Sequence, residues 1–147
     1  MTDFVASIGL QQLKKIDQFI ENRKHYAKIY ERELQDLNEI ILPNDSSDQG
    51  NVRHLYPILL RLESLKVTRD KFVAAIQKEN IGVGVHYPAI HLQKYFREKF
   101  NFQEGDYPNA EFVSERVPSL PLFAQMNVHD VQDTIEAVRK LVAYYKK

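Results

Sequence analysis

The sequence predicts an α/β protein in which a long helix is followed by a small sheet that other helices cover. Apolar residues recur every three or four positions over residues 1–38, which is the period of an amphipathic helix. Beyond them, short apolar runs that end near Pro, Gly or Asn alternate with further amphipathic segments, which indicates strands alternating with helices. A chain of 147 residues is long enough to form one domain with its own core.

The first element is predicted to be a single linking helix from about Asp3 to Leu37. Thr2 or Asp3 can cap its start, because a side-chain oxygen at that position accepts a backbone N–H. A straight helix of this length spans roughly 50 Å, which exceeds the diameter of ~40 Å expected for a domain of this size. We therefore expect the helix either to kink near Gly9 or to project with an apolar stripe that another surface covers.

Residues 39–147 are predicted to form the α/β body. Strands are expected at Glu39–Leu42, His54–Leu62 and Ile81–Val85, with a polar loop over residues 44–51 between the first two. Pro57 inside the second strand indicates an edge position or a bulge, because proline cannot donate to a sheet ladder.

Four helices are predicted in the same body from apolar spacing and end signals. Thr68 can cap the first of them, Asn80 suits a left-handed helix end, and Pro108 suits a first turn. The last helix carries a buried stripe of Val131, Ile135, Val138 and Val142, and Pro118–Leu122 before it is predicted to be extended. The predicted helices are Thr68–Glu79, Leu92–Phe100, Asn109–Val117 and His129–Tyr145.

The composition excludes several classes of protein. The 20 basic residues balance the 20 acidic ones, which argues against a nucleic-acid binder. The chain has no Cys, so disulfides and thiolate metal sites are excluded. No apolar run is long enough to cross a bilayer and no signal peptide is evident, so we expect a cytoplasmic protein that does not associate with membranes.

The segment Ile81–Arg97 contains the residues that most resemble a binding or catalytic site. Gly82 and Gly84 lie in a β-rich run, where glycine often marks close approach by a ligand or another backbone. Pro88 then forces a turn that displays His86 and Tyr87 at the strand end, and His91 follows. A metal site is not expected, because no third ligand accompanies the two histidines at a suitable spacing. Taken alone, this pattern fits a hydrogen-bonded loop with no ligand.

Six segments, in their order and spacing, resemble the DegT/DnrJ family of sugar aminotransferases, which use pyridoxal phosphate (PLP) on the type I fold. The resemblance covers nearly the whole chain and includes the family's HY-x-P-x-H-LQ active-site loop. The sequence departs from the family's common residues at Val5, Ala89, Lys94 and Ala124, and the last three put the rigidity of the loops in doubt. The matching segments are Met1–Phe4, Gly9–Leu13, His54–Tyr56, Gly82–Gln93, Glu104–Glu111 and Ser119–Phe123.

The resemblance implies the small C-terminal domain of such an enzyme, an α+β arrangement with a mainly antiparallel sheet. The intact family enzyme moves an amino group from glutamate to a nucleotide-linked keto sugar, in polysaccharide or aminosugar biosynthesis. Its Schiff-base lysine lies in a large N-terminal domain, and this chain contains no segment that resembles that motif. We therefore expect no transaminase activity and no bound PLP from this chain alone.

The same resemblance implies where the substrate and partners bind. We expect His86, Tyr87, His91 and Ser119 to contact the nucleotide sugar. His86, Tyr87 and His91 are expected to cluster on one exposed side near Ser119, Leu120 and Pro121, where the intact enzyme's cleft would be. A homodimer is expected, made through the N-terminal helix, and a separate polypeptide that supplies the PLP domain is left open as a partner.

Two other interpretations remain at this point. Met1 is either a true start or a cut within the family's M-T-D motif, so the chain is either a truncation product or a stand-alone, non-catalytic protein that binds a partner or sugar nucleotide. Without the resemblance, a generic α/β binding module would remain.

Overall fold

Helices in the structure surround two short antiparallel strand pairs. The computed structural model describes residues 1–44 and 50–147; most of the predicted polar loop, residues 45–49, lies outside the described residues. Single turns of 3-10 helix at Leu62–Ser64 and Ile90–Leu92 join larger elements. In chain order the elements are α1 Asp3–Leu13, α2 Ile16–Leu34, β1 Ile40–Ile41, β2 Tyr56–Pro57, β3 Leu59–Leu60, α3 Arg69–Lys78, α4 Lys94–Phe100, α5 Pro108–Arg116, β4 Ser119–Leu120 and α6 Val128–Tyr145.

The N-terminal region forms two helices, so the prediction of a single helix is wrong. The break lies at Lys14 and Lys15, where the Lys15 N–H bonds to the Gln12 carbonyl at 3.0 Å in a tighter turn. Gly9 lies inside α1, and the predicted kink at that residue is also wrong. Helix α1 buries no side chain against the described part of the chain, so nothing there holds it in line with α2.

The strands are antiparallel, as expected, but shorter than predicted. β1 pairs with β3 in the register Ile40–Leu60, and β2 pairs with β4 in the register Tyr56–Leu120. The predicted strand His54–Leu62 therefore serves two sheets, because it changes partner at Ile58, whose N–H bonds to the Pro118 carbonyl at 2.9 Å.

The prediction of a strand over Ile81–Val85 is wrong in extent. Only Gly84 makes a bridge, to Ser119, and the two residues exchange N–H···O bonds of 3.3 and 2.8 Å. β4 is only two residues long, so it offers little backbone for a longer ladder.

The later helices begin and end close to the residues that the sequence predicted. Thr68 caps α3 by accepting a bond from the Lys71 N–H at 3.4 Å, and Asn80 takes a positive φ of 64° just beyond it. Pro108 opens α5, and Asn127 with Asp130 forms a capping box at the start of α6. Helix α4 starts at Lys94, two residues later than predicted, because Leu92 ends a 3-10 turn.

The core lies where α2 and α3 pack against α6 over the strand pairs. The Tyr30 and Tyr56 rings, both almost fully buried, meet with centroids 5.0 Å apart. The predicted apolar stripe of α6 is confirmed, since Val131, Ile135, Val138 and Val142 are all buried. Within residues 1–44 and 50–147, no helix is both long and apolar enough to span a membrane.

Helix α2 also holds the segment that follows β4. Four side chains on α2 each donate a hydrogen bond to a carbonyl between residues 121 and 126, a stretch that has no strand partner along most of its length. The bonds are Asn22 to Ala124 at 3.0 Å, Arg23 to Leu122 at 3.1 Å, Tyr30 to Pro121 at 2.9 Å, and Tyr26 to Met126. Because these carbonyls are satisfied from α2, the chain that follows Ser119 has a fixed path.

Candidate functional site

The bridge between Gly84 and Ser119 brings the His86 loop beside β4. His86 is half-buried, whereas the Tyr87 side chain is 67% exposed, and their rings meet edge-to-face with centroids 4.8 Å apart. The peptide bond between these two residues is cis. The structure therefore brings three of the four predicted site residues, His86, Tyr87 and Ser119, to one place in the fold.

Two polar atoms at this place lack partners among the described residues. The His86 Nδ1 and the Ser119 Oγ are both buried, and neither makes a hydrogen bond there. Buried polar atoms in folded proteins are nearly always hydrogen-bonded to protein or to ordered water. The two atoms therefore have hydrogen-bonding capacity that no described residue uses.

His91 is buried, unlike the exposed Tyr87. Its side chain is only 6% exposed, and its Nε2 lies 2.8 Å from the Glu111 Oε1. The expectation that His91 shares an exposed surface with His86 and Tyr87 is wrong, because Glu111, 20 residues further along the chain, satisfies it inside the protein. A direct contact between His91 and a substrate stays a prediction.

Glu111 also orders the loop that leads into α5. Its carboxylate accepts bonds from the Gly105 N–H at 2.9 and 3.0 Å and from the Tyr107 N–H at 3.4 Å. The hydrogen bond from His91 is the main reason that the pKa of Glu111 lies below its usual value, and the two backbone donors add to the effect. Sequence reasoning placed Glu111 only within a motif, and it did not predict that this carboxylate orders the loop.

An apolar hollow borders the exposed Tyr87 ring, and sequence reasoning missed it. Its volume is about 570 Å³. The aromatic residues that follow His91 at short intervals were the available signal, but their convergence depends on the fold of the 101–107 turn. The lining comprises Tyr87, Pro88, Ala89, Ile90, His91, Phe96, Phe102, Tyr107, Ala110 and Val113.

The lining of the hollow does not contain the groups that hold PLP. PLP requires a lysine amine for the Schiff base and donors for its phosphate. The hollow has no lysine or arginine in its lining, and its surface is mostly apolar. No hydrogen bond or ion pair in the described part of the chain joins a lysine to His86, Tyr87 or Ser119.

Comparison with known proteins identifies relatives by sequence and, separately, by structure. The chain is 42% identical over 143 residues to the uncharacterized protein MJ1066 of Methanocaldococcus jannaschii, and 36% identical to the spore coat polysaccharide biosynthesis protein SpsC of Bacillus subtilis. Each alignment covers 97% of this chain but 37% of the relative. The chain thus spans little more than a third of the length of the curated relatives it matches.

The fold has solved counterparts. Spr1654 from Streptococcus pneumoniae, named as a sugar aminotransferase and solved in apo, PMP and PLP forms, superposes with a TM-score of 0.87 at 26% identity. The match covers 98% of this chain and 36% of that one. The sequence model of the DegT/DnrJ/EryC1/StrS aminotransferase family matches residues 1–139. From its motifs, its fold and this match, the chain belongs to the DegT/DnrJ/EryC1/StrS aminotransferase family.

Proposed function

We propose that this chain forms the sugar-substrate side of a PLP-dependent aminotransferase that acts on a nucleotide-linked keto sugar. Family membership over residues 1–139 supports the reaction class. One observation at the site carries the assignment to the substrate side: Tyr87 is exposed, and His86 Nδ1 and Ser119 Oγ have no hydrogen-bond partner in the part of the chain that the structure describes. A sugar nucleotide offers many hydroxyl and phosphate oxygens that such groups can bind.

The proposal divides the work between this chain and a lysine-bearing part that lies outside it. PLP, when bound in the intact enzyme, supplies the electron sink for amino transfer. The residues of this chain bind and orient the sugar: His86, Ser119 and the Tyr87 hydroxyl hydrogen-bond its oxygens. His91 supports the wall of the hollow through Glu111, which contacts the 103–107 turn.

The test uses a fusion that joins this chain to the part of SpsC that it does not match. In this joined protein, His86→Ala and Tyr87→Phe should raise the KM for the sugar substrate several-fold, because each removes a group that contacts the sugar. The affinity for PLP should stay unchanged, because the cofactor is held elsewhere. Tyr144→Phe is the matched control, since Tyr144 is 74% exposed on the distant helix α6.

Sugar kinetics that do not change in either loop variant would contradict the site assignment. A loss of PLP affinity equal to the loss of sugar affinity would also contradict it, because the loop would then serve the cofactor.

A further inference from the structure

We infer that Gly84 is a positioning residue, whose missing side chain leaves the space in which the His86 imidazole sits. A Cβ built on Gly84 would lie 2.5 Å from the His86 Cε1 and 3.1 Å from its Nε2. Non-bonded carbon atoms are in favourable contact near 3.5–4.0 Å, so the shorter distance is a steric clash. The group that closely approaches this glycine is therefore the protein's own histidine.

The backbone at Gly84 does not itself require glycine. The described glycines with positive φ are Gly50 and Gly105, and neither Gly82 nor Gly84 is among them. Gly82, two residues earlier, has no atom within 4 Å of the corresponding Cβ position. Gly84 thus differs from Gly82 in that the His86 ring is packed against it.

The imidazole is the part that would move if a side chain were added. Gly84 is held by backbone hydrogen bonds to Ser119 in both directions, at 3.3 and 2.8 Å. The His86 side chain instead has a rotatable ring, with no hydrogen bond to its buried Nδ1 among the described residues. A methyl group at position 84 should therefore turn the ring, and change where both of its nitrogens point, while the strand contact persists.

The test follows the His86 ring by NMR in this chain, with Gly84→Ala compared with Gly82→Ala. Gly84→Ala should shift the ring resonances of His86, and Gly82→Ala should leave them near their wild-type values. His86 resonances that remain unchanged in Gly84→Ala would overturn the inference.

The same substitution in a His86→Ala chain distinguishes a clash with the ring from a clash with the backbone. Gly84→Ala should lower the thermal midpoint of unfolding in the wild-type chain but not in a chain that already carries His86→Ala, because the clashing ring is then gone. An equal loss in both backgrounds, or failure of the double variant to fold, would show that the backbone rejects the side chain and would overturn the inference.

The consequence for substrate rests on the proposed function. In the joined protein, Gly84→Ala should raise the KM for the sugar several-fold and leave the PLP affinity unchanged, whereas Gly82→Ala should change neither. If the joined protein with Gly84 transfers no amino group, the proposed function fails, and the NMR comparison still decides whether Gly84 positions His86.

Discussion

The carboxylate of Glu111 joins two segments that are distant in sequence, the His91 turn and the loop at Gly105 and Tyr107. Each of its contacts is a hydrogen bond to an ionised acceptor, the kind that favours the charged form. Because Tyr107 and His91 both line the apolar hollow, this one side chain fixes much of the hollow's wall.

Acid titration tests the role of Glu111. Its pKa is lowered in the folded state from the usual 4.5, so its contribution to the free energy of unfolding is full above about pH 4.5 and is lost as the pH falls through the lower folded value. Glu111→Gln should be less stable than wild type at neutral pH, and this difference should shrink as the pH falls below 4.5. Urea unfolding of both proteins at a series of pH values measures this difference in stability.

The matched control is Glu98→Gln, since Glu98 is 67% exposed and makes only a 3.9 Å contact with Lys94. This variant should follow the wild-type stability curve at each pH. A Glu111→Gln curve parallel to wild type through the acid range would show that the carboxylate charge contributes nothing to folding.

At the scale of elements, helix α2 positions the segment around Ser119 through side chains instead of strand pairing. Tyr30 is the clearest case, because burial raises the pKa of its hydroxyl to about 12 and keeps it protonated as a donor. Its bond to the Pro121 carbonyl lies two residues from Ser119. The helix and the candidate site are thus linked by a short chain of contacts.

Removal of this hydroxyl should destabilise the fold. Tyr30→Phe leaves the partly buried Pro121 carbonyl without its donor, which should cost about 1–2 kcal/mol in the free energy of unfolding. Tyr144→Phe, which alters a 74% exposed tyrosine on α6, should cost less than about 0.5 kcal/mol. Equal stabilities of the two variants in denaturant unfolding would mean that the α2 contact does not hold the segment.

Elements whose signals are local were predictable from sequence. Thr68, Asn80 and Pro108 mark helix ends through their own backbone chemistry, and the structure places helix ends at each of them. The strands were overextended because their length depends on partners far along the chain, as at Gly84 and Ser119.

The least predictable features have no local sequence signal. The break between α1 and α2 falls at Lys14 and Lys15, where no Pro or Gly is present. The pairing of His91 with Glu111 joins residues 20 apart, so periodicity could not reveal that His91 is buried. The grouping of His86, Tyr87 and Ser119 was predicted only through the family resemblance.

For the whole molecule, the main feature is the uncovered apolar surface of α1. Phe4, Leu10 and Leu13 are 75%, 61% and 64% exposed, and Ile16 at the start of α2 is 45% exposed. An isolated helix of 11 residues is marginally stable in water, and monomers rarely expose large apolar patches. We propose that a second copy of this chain covers this surface, in a dimer made through α1.

Charge substitution on this surface tests the dimer. Leu13→Glu should weaken self-association at least tenfold in sedimentation velocity, because a carboxylate would be buried at the interface. Gln12→Glu adds the same charge at the adjacent exposed position and should have a much smaller effect. A monomer at all concentrations of the wild-type chain would contradict the dimer, as would equal effects of the two substitutions.

The proposal that the sugar-binding and cofactor-binding roles lie in different parts of the enzyme is tested most directly by amino transfer itself. The measurement is the rate of transfer from glutamate to a nucleotide-linked keto sugar, with PLP present, for this chain alone and for the chain joined to the part of SpsC that it does not match. We expect turnover from the joined protein only, with borohydride trapping PLP on a lysine outside this chain. Turnover by this chain alone, or PLP trapped on one of its own lysines, would contradict the account.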